Sequence, residues 1–284
     1  MSESILLPFV QDRPIRITDH IYWVGYYDSA SRMSCNPYLI VDGDEAVVID
    51  AGSRPDFSTV MRKILQVGVA PGRIQTLIYQ HYDPDLCGSL PNLEEMIDRA
   101  DLKIISKTEN NYFIKHYGCK LELRCIDAME RKLTLDSGRT LHFIPTPYAH
   151  SAGSFMTWDE SSRTLFTSDL FGGMCACGEG NQLFLHLPPA CQACDRNVDN
   201  SQLPCDHMGK PCPMVGIEQF HRQVMPSCAA LRHALTLVQA IEPEIVAPQH
   251  GTLLANPANI ELVAKRLYAL NDVGIDGVLM GMEP

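Results

Sequence analysis

A chain of 284 residues that is 45% hydrophobic and 20% charged has material for one large core or two small ones and reads as an ordinary folded protein. Its net charge of −11 argues against extended contact with a nucleic-acid backbone, which takes clustered Lys and Arg; a small or partner-delivered substrate fits better. No apolar run approaches the roughly 20 residues of a membrane span, and Met1-Ser-Glu-Ser-Ile-Leu-Leu-Pro8 lacks the basic start and apolar centre of a signal peptide. A cytoplasmic protein without membrane contact is therefore expected.

In chain order, β-rich runs come first, at residues 15–25 and 37–51, the second broken by the hairpin-turn signal Asp42-Gly43-Asp44. Residues 55–68 carry Phe57, Val60, Met61, Ile64, Leu65 and Val67 at helical spacing, closed by Gly68. A strand at 74–79, a helix at 90–100 and a strand at 102–106 continue a strand–helix alternation. After a helix near 109–115 come short strands at 121–126, 132–135, 140–144, 154–158 and 164–167. Residues 171–215 hold Gly, Pro and Cys with little apolar periodicity and read as an insertion rather than core. Helical spacing returns over 217–241, with Pro226 as an entry or kink; a strand at 244–247 and a helix at 260–270 close the chain.

The stretch Thr76-Leu-Ile-Tyr-Gln-His-Tyr-Asp-Pro-Asp-Leu-Cys-Gly88 ends an apolar run in three ligand-type residues, His81, Asp83 and Asp85, at every second position. On an extended backbone they would share one side, and Pro84 biases Asp83 away from helical geometry. Gly88 and Ser89 then offer a turn and a helix N-cap. Three more strand ends repeat the theme: Pro147-Tyr-Ala-His150-Ser-Ala-Gly153, Leu165-Phe-Thr-Ser-Asp169 and Ile245-Val-Ala-Pro-Gln-His250-Gly. Three imidazoles and three carboxylates suit iron, manganese or zinc, and a carboxylate can bridge two ions. A lone histidine at a strand end is usually structural; four such ends of one kind point to a metal site.

With these residues the chain resembles metallo-β-lactamase-fold proteins, and among them the diiron domain of flavodiiron proteins, over roughly residues 15–270. That family's first motif reads His-x-Glu-x-Asp-His, followed by separate His, Asp and His turns. His81, Asp83, Asp85, His150, Asp169 and His250 fall in that order, with Asp83 in place of the glutamate. The resemblance implies an α/β fold, an αββα sandwich, as a single domain over 1–284 with the Cys-rich insertion at 171–215. It implies one iron on His81, Asp83 and His150, the other on Asp85 and His250, and Asp169 as the bridge. An acid at 83, where the superfamily's zinc hydrolases have His, favours iron or manganese over hydrolytic zinc. Leu86 stands where the motif has its last histidine, which would leave the second metal an open position.

Flavodiiron reductases carry a flavodoxin domain after the diiron domain; this sequence reaches Pro284 without one, and no bound flavin is expected. The resemblance is nearest to the shorter, flavin-free oxygen-binding diiron proteins associated with bacterial oxygen sensing, strengthened by Phe220-His-Arg-Gln-Val-Met-Pro-Ser227 and Ala247-Pro-Gln-His-Gly251. It implies a non-haem diiron protein that binds dioxygen or another small diatomic. Such a protein would sense the gas, or reduce O2 or NO with electrons from an external redox or signalling partner. The alternative is a metal-dependent hydrolase of a small ester, thioester or lactone. A homodimer is one assembly left open.

Of the eleven cysteines, expected to be thiols or ligands in a reducing compartment, Cys35, Cys87, Cys119, Cys125 and Cys228 are scattered. The others crowd into the insertion. Cys191-Gln-Ala-Cys194 with Cys205 and Cys212 could bind zinc or an iron–sulfur cluster, with His207, Cys175 and Cys177 as alternates; redox-active or inert thiols are the other readings.

Overall fold

The computed structural model describes residues 12–28, 33–174, 183–194, 205–206, 209 and 211–281. Strands β1 (Ile15–Arg16) and β2 (Ile21–Trp23) pair antiparallel, and β3 (Tyr26–Asp28) and β4 (Met33–Cys35) form a hairpin of their own. With β5 (Tyr38–Asp42), β6 (Glu45–Ile49), β7 (Ile74–Ile78), β8 (Lys103–Ser106) and β9 (Leu123–Cys125), a seven-stranded sheet runs in the order β1-β2-β5-β6-β7-β8-β9. From β6 to β9 the pairing is parallel. A second sheet of five strands follows chain order: β10 (Lys132–Thr134), β11 (Thr140–Pro145), β12 (Phe155–Asp159), β13 (Thr164–Phe166) and β14 (Ile245–Ala247), the last pair parallel.

Helices α1 (Phe57–Val67), α2 (Pro84–Cys87), α3 (Leu90–Ile97) and α4 (Thr108–Ile114) belong to the first half, α5 (Pro213–Val224), α6 (Cys228–Ile241), α7 (Pro257–Tyr268) and α8 (Ile275–Met280) to the second. The spacing that predicts α1 buries Val60, Met61 and Ile64, and Gly68 ends it at φ 93°, its N–H reaching the Ile64 and Leu65 carbonyls. Pro226 separates α5 from α6, whose cap Ser227 accepts from the Ala230 N–H at 3.2 Å.

Three apolar clusters show the layering. One joins Ile40, Val47, Ile49, Ile78 and Ile105 of the first sheet to Leu141, Phe143, Phe155, Phe166 and Ala247 of the second. Another packs Leu39, Val48 and Leu77 against Val60 and Ile64 of α1 and Leu90 and Leu93 of α3. The third packs Met156, Leu165 and Val246 against α5, α6 and α7. Helix, sheet, sheet, helix is the expected αββα sandwich, its core removed from water at ~25 cal/mol per Å² of apolar surface.

The insertion is less separate than its composition suggests. Leu183, Leu185, Leu187 and Cys191 are buried in two of these clusters, and Leu185 N–H donates to the Leu253 carbonyl at 2.7 Å. Cys175, Cys177 and His207 lie outside the described residues. The β3–β4 hairpin, the start of α5 at Pro213 and helix α8 were not expected from periodicity. Among the described residues, no helix is long and apolar enough to cross a membrane.

Candidate metal centre

The six donors sit where β7, β11, β13 and β14 end, on the edge where α/β sheets commonly place ligands beyond the carboxyl ends of strands. Gln80, the residue before His81, ties the two sheets together there. Its side-chain amide donates to the Phe155 and Phe166 carbonyls at 3.0 and 2.9 Å. Its own N–H donates to Asp50 Oδ1 at 2.9 Å, and burial holds that Asp50 carboxyl well above its ordinary range.

The extended-backbone explanation of His81, Asp83 and Asp85 holds only as far as Asp83. Asp83 is extended, with φ −67° and ψ 154°, as Pro84 requires, but Pro84 then opens α2 and Asp85 sits in its first turn. A turn of helix, rather than continued alternation, brings Asp85 to the site. Ser89 does precede α3, yet its hydroxyl donates to the Ala51 carbonyl at 3.0 Å instead of capping the helix.

Two donor groups result. His81, His150 and Asp169 bring ligand atoms within 4.8 Å of one another, and so do Cys35, Asp85 and His250. Asp83 Oδ2 adjoins the first, 3.7 Å from His81 Nε2 and 3.4 Å from His150 Nε2. Asp169 lies between the groups. Its Oδ2 is 3.2 Å from His150 Nε2, while its Oδ1 is 3.8 Å from His81 Nε2 and 3.6 Å from His250 Nε2. An ion bonded at about 2.1 Å to each donor would hold neighbouring donors roughly 3–4 Å apart.

Metal fit can be tested on the unpaired atoms. His81 Nε2, His150 Nε2 and Asp169 Oδ1 are buried without a hydrogen-bond partner, an expensive state for polar atoms unless something binds them. The outer ring nitrogens of His81 and His250 have partners of their own. His81 Nδ1 meets Ser168 Oγ at 2.7 Å, and His250 Nδ1 donates to the Ser34 carbonyl at 2.7 Å, so Nε2 is the ring nitrogen that His250 turns toward Asp85 and the site.

The donors act on one another's ionisation. Burial lowers the His81 pKa. For His150 and His250 burial acts the same way but is outweighed, by the Asp83 and Asp169 carboxylates in one case and by Asp169 and Asp85 in the other, so both are raised. Asp85 is pulled down to about 2, the His250 contact overcoming the opposite effect of burial. The grouped donors and the unpartnered His81 Nε2, His150 Nε2 and Asp169 Oδ1 fit cations held by imidazole and carboxylate.

Leu86 does not match the expectation of a lining residue beside an open position. It is fully buried in the apolar cluster with α1 and α3, and the second group has a third donor, Cys35, which spacing gave no reason to select. Cys35 Sγ lies 3.7 Å from Asp85 Oδ2. A cavity of about 450 Å³ reaches this point, lined by Tyr26, Met33, Cys35, Asp56, Arg62 and Asp85 among others.

The cysteines of the insertion form a looser set. Cys191 and Cys205 are buried, Cys194 and Cys212 half-buried. Burial raises the thiols of Cys191 and Cys212, and each is near enough to Cys205 for its charge to oppose ionisation further. Among the described residues, no three of these sulfurs meet within the 4.8 Å that the two main groups satisfy.

An αββα sandwich with imidazole and carboxylate donors gathered at its strand ends defines a protein of the metallo-β-lactamase fold. The chain belongs to the ODP family beta lactamases, whose pattern matches residues 33–251. It is 30% identical over 171 residues to flavo-diiron protein FprA2 of Clostridium acetobutylicum, covering 56% of this chain and 42% of that protein. Among solved structures it resembles the peroxy diiron species of chemotaxis sensor ODP, with TM-score 0.70 and 22% identity over 95% of this chain and 99% of the other. It also resembles rubredoxin oxygen:oxidoreductase of Desulfovibrio gigas, with TM-score 0.72 and 21% identity over 90% of this chain and 60% of that one. At such identities the structural likeness carries the fold. The chain spans about half the length of several curated relatives it matches.

Proposed function

We propose that the protein is a non-haem diiron protein that binds dioxygen or a similar diatomic, as an oxygen sensor or as a reductase fed by an external partner. The observation that carries this reading is the placement of Asp169 between two donor groups, with its Oδ1 and the Nε2 atoms of His81 and His150 buried without a hydrogen-bond partner. His81, Asp83 and His150 would hold one iron, Asp85 and His250 the other, with Asp169 shared. Bound iron would supply electrons and coordination positions for the gas. Ser168 Oγ orients the His81 ring, and the Ser34 carbonyl takes the Nδ1 proton of His250. Buried Phe220, its ring centroid 5.5 Å from that of His250, covers that ring with an apolar face. The sensor and oxidoreductase named among the similar structures support an oxygen ligand, and reducing cytoplasm suits the thiols.

The test is metal analysis of anaerobically purified protein, followed by absorption spectra on admitting oxygen. About two irons in the main site and an oxygen-dependent spectrum are expected. Stoichiometric zinc or manganese without such a spectrum would refute diiron oxygen binding; zinc with ester or lactone turnover would assign hydrolysis.

A further metal, zinc or an iron–sulfur cluster, is proposed at Cys191, Cys194, Cys205 and Cys212. Its support is the CxxC spacing together with the mutual influence of the thiols. Replacing all four by Ser should remove that metal and leave the iron of the main site.

A further inference from the structure

We propose that Cys35 is a thiolate ligand of the second metal position, making that position a mixed sulfur, carboxylate and imidazole site. The inference rests on the two-metal reading above and adds a ligand to it. Cys35 is 6% exposed and closes β4, far in sequence from every other donor. Its sulfur, an Asp85 carboxylate oxygen and a His250 ring nitrogen all lie within 4.8 Å of one another. His250 Nε2 is 3.2 Å from Asp85 Oδ2 and Cys35 Sγ 3.7 Å from the same oxygen, so the three surround one small space. Buried Asp169 Oδ1, without a hydrogen-bond partner, lies 3.6 Å from the His250 Nε2 of this group.

The thiol is held in place by the His250 loop itself. The Asn36 N–H donates to the Gln249 carbonyl at 2.9 Å, and its side-chain amide donates to the Pro248 and Gly251 carbonyls at 2.9 and 3.1 Å. On the other side, Ser34 receives His250 Nδ1 on its carbonyl and the Gly251 N–H on its hydroxyl. Residues 34–36 are thus laced to residues 248–251 by both neighbours of Cys35. A preorganised donor needs little rearrangement to bind. On binding, the thiol proton passes to water and the sulfur electron pair to the metal. A thiolate disfavours manganese relative to iron, zinc or cobalt, and the cavity of about 450 Å³ beside Cys35 and Asp85 gives a small molecule a way in.

The experiment loads anaerobic apo-protein with two equivalents of Co(II), for wild type, Cys35→Ser, Cys35→Ala and the distant control Cys125→Ser. Because the insertion carries other thiols, the readout is the difference spectrum. Loss of one thiolate's sulfur-to-cobalt charge-transfer intensity is expected in both Cys35 variants and not in the control. One of the two main-site ions should also leave to a chelator ~10–100-fold faster, the other at its former rate. Two bound ions with unchanged spectrum and release in Cys35→Ala would overturn the proposal while leaving the two-metal reading intact; no main-site uptake by wild type would overturn both. Should the Cys35 variants fail to fold, iodoacetamide labelling of wild-type Cys35 with and without Co(II) decides. Strong protection by metal is expected, and equal rates would overturn the assignment.

Discussion

Asp169→Asn takes a carboxylate from a side chain that neighbours both donor groups while keeping its shape. Its carboxylate oxygens stand 3.2 Å from His150 Nε2 and 3.6 Å from His250 Nε2, so the change takes an anionic donor from each ion. Even partners of ligands contribute ~10–100-fold to metal affinity; a shared ligand should count for no less, or at least about 1.4 kcal/mol for each ion. Asp85→Asn weakens one ion alone, since Asp85 contacts the His250 group. The assay is anaerobic competition with a chelator, with metal counted in the protein fraction at each step. Asp169→Asn should lose both ions and Asp85→Asn one. Equal or greater loss in Asp85→Asn would refute the shared position of Asp169.

Ser168→Ala removes the partner of His81 Nδ1 and should weaken one ion ~10–100-fold, leaving the other unchanged in the same competition. His221 has a pKa lowered to about 4 by burial, against about 6.5 unfolded. Between those values protons favour the unfolded chain, so the stability it contributes is complete above pH 6.5 and is lost as pH falls toward 4. At pH 5 the loss is on the order of 2 kcal/mol, and His221→Gln should show a correspondingly flatter dependence of the urea midpoint between pH 7 and 5. Leu86→Ala should cost ~2–5 kcal/mol of stability, as a fully buried leucine does, without changing metal release per folded chain; faster release would return Leu86 to the wall of the site. Ser at all four insertion cysteines, Cys191, Cys194, Cys205 and Cys212, should lower total metal by the proposed extra ion or cluster alone; unchanged total metal would make them redox or inert thiols.

Local chemistry makes some of this protein legible from its sequence. Apolar spacing and Gly68 define α1, Asp42-Gly43-Asp44 defines the β5–β6 turn, and four strand ends carry His81, His150, Asp169 and His250, because period and turn chemistry are properties of neighbouring residues. The strand-to-ligand pattern also selects Asp83 and Asp85, although for Asp85 the geometry behind it is a helical turn rather than a strand. What only the tertiary structure decides is which distant side chains meet. Cys35 reads as one scattered cysteine until the β3–β4 hairpin is laced to residues 248–251. Leu86 reads as a missing ligand until α2 turns it into the helical layer. Both outcomes depend on hydrogen bonds and packing between segments remote in the chain, and no spacing within a single segment encodes them.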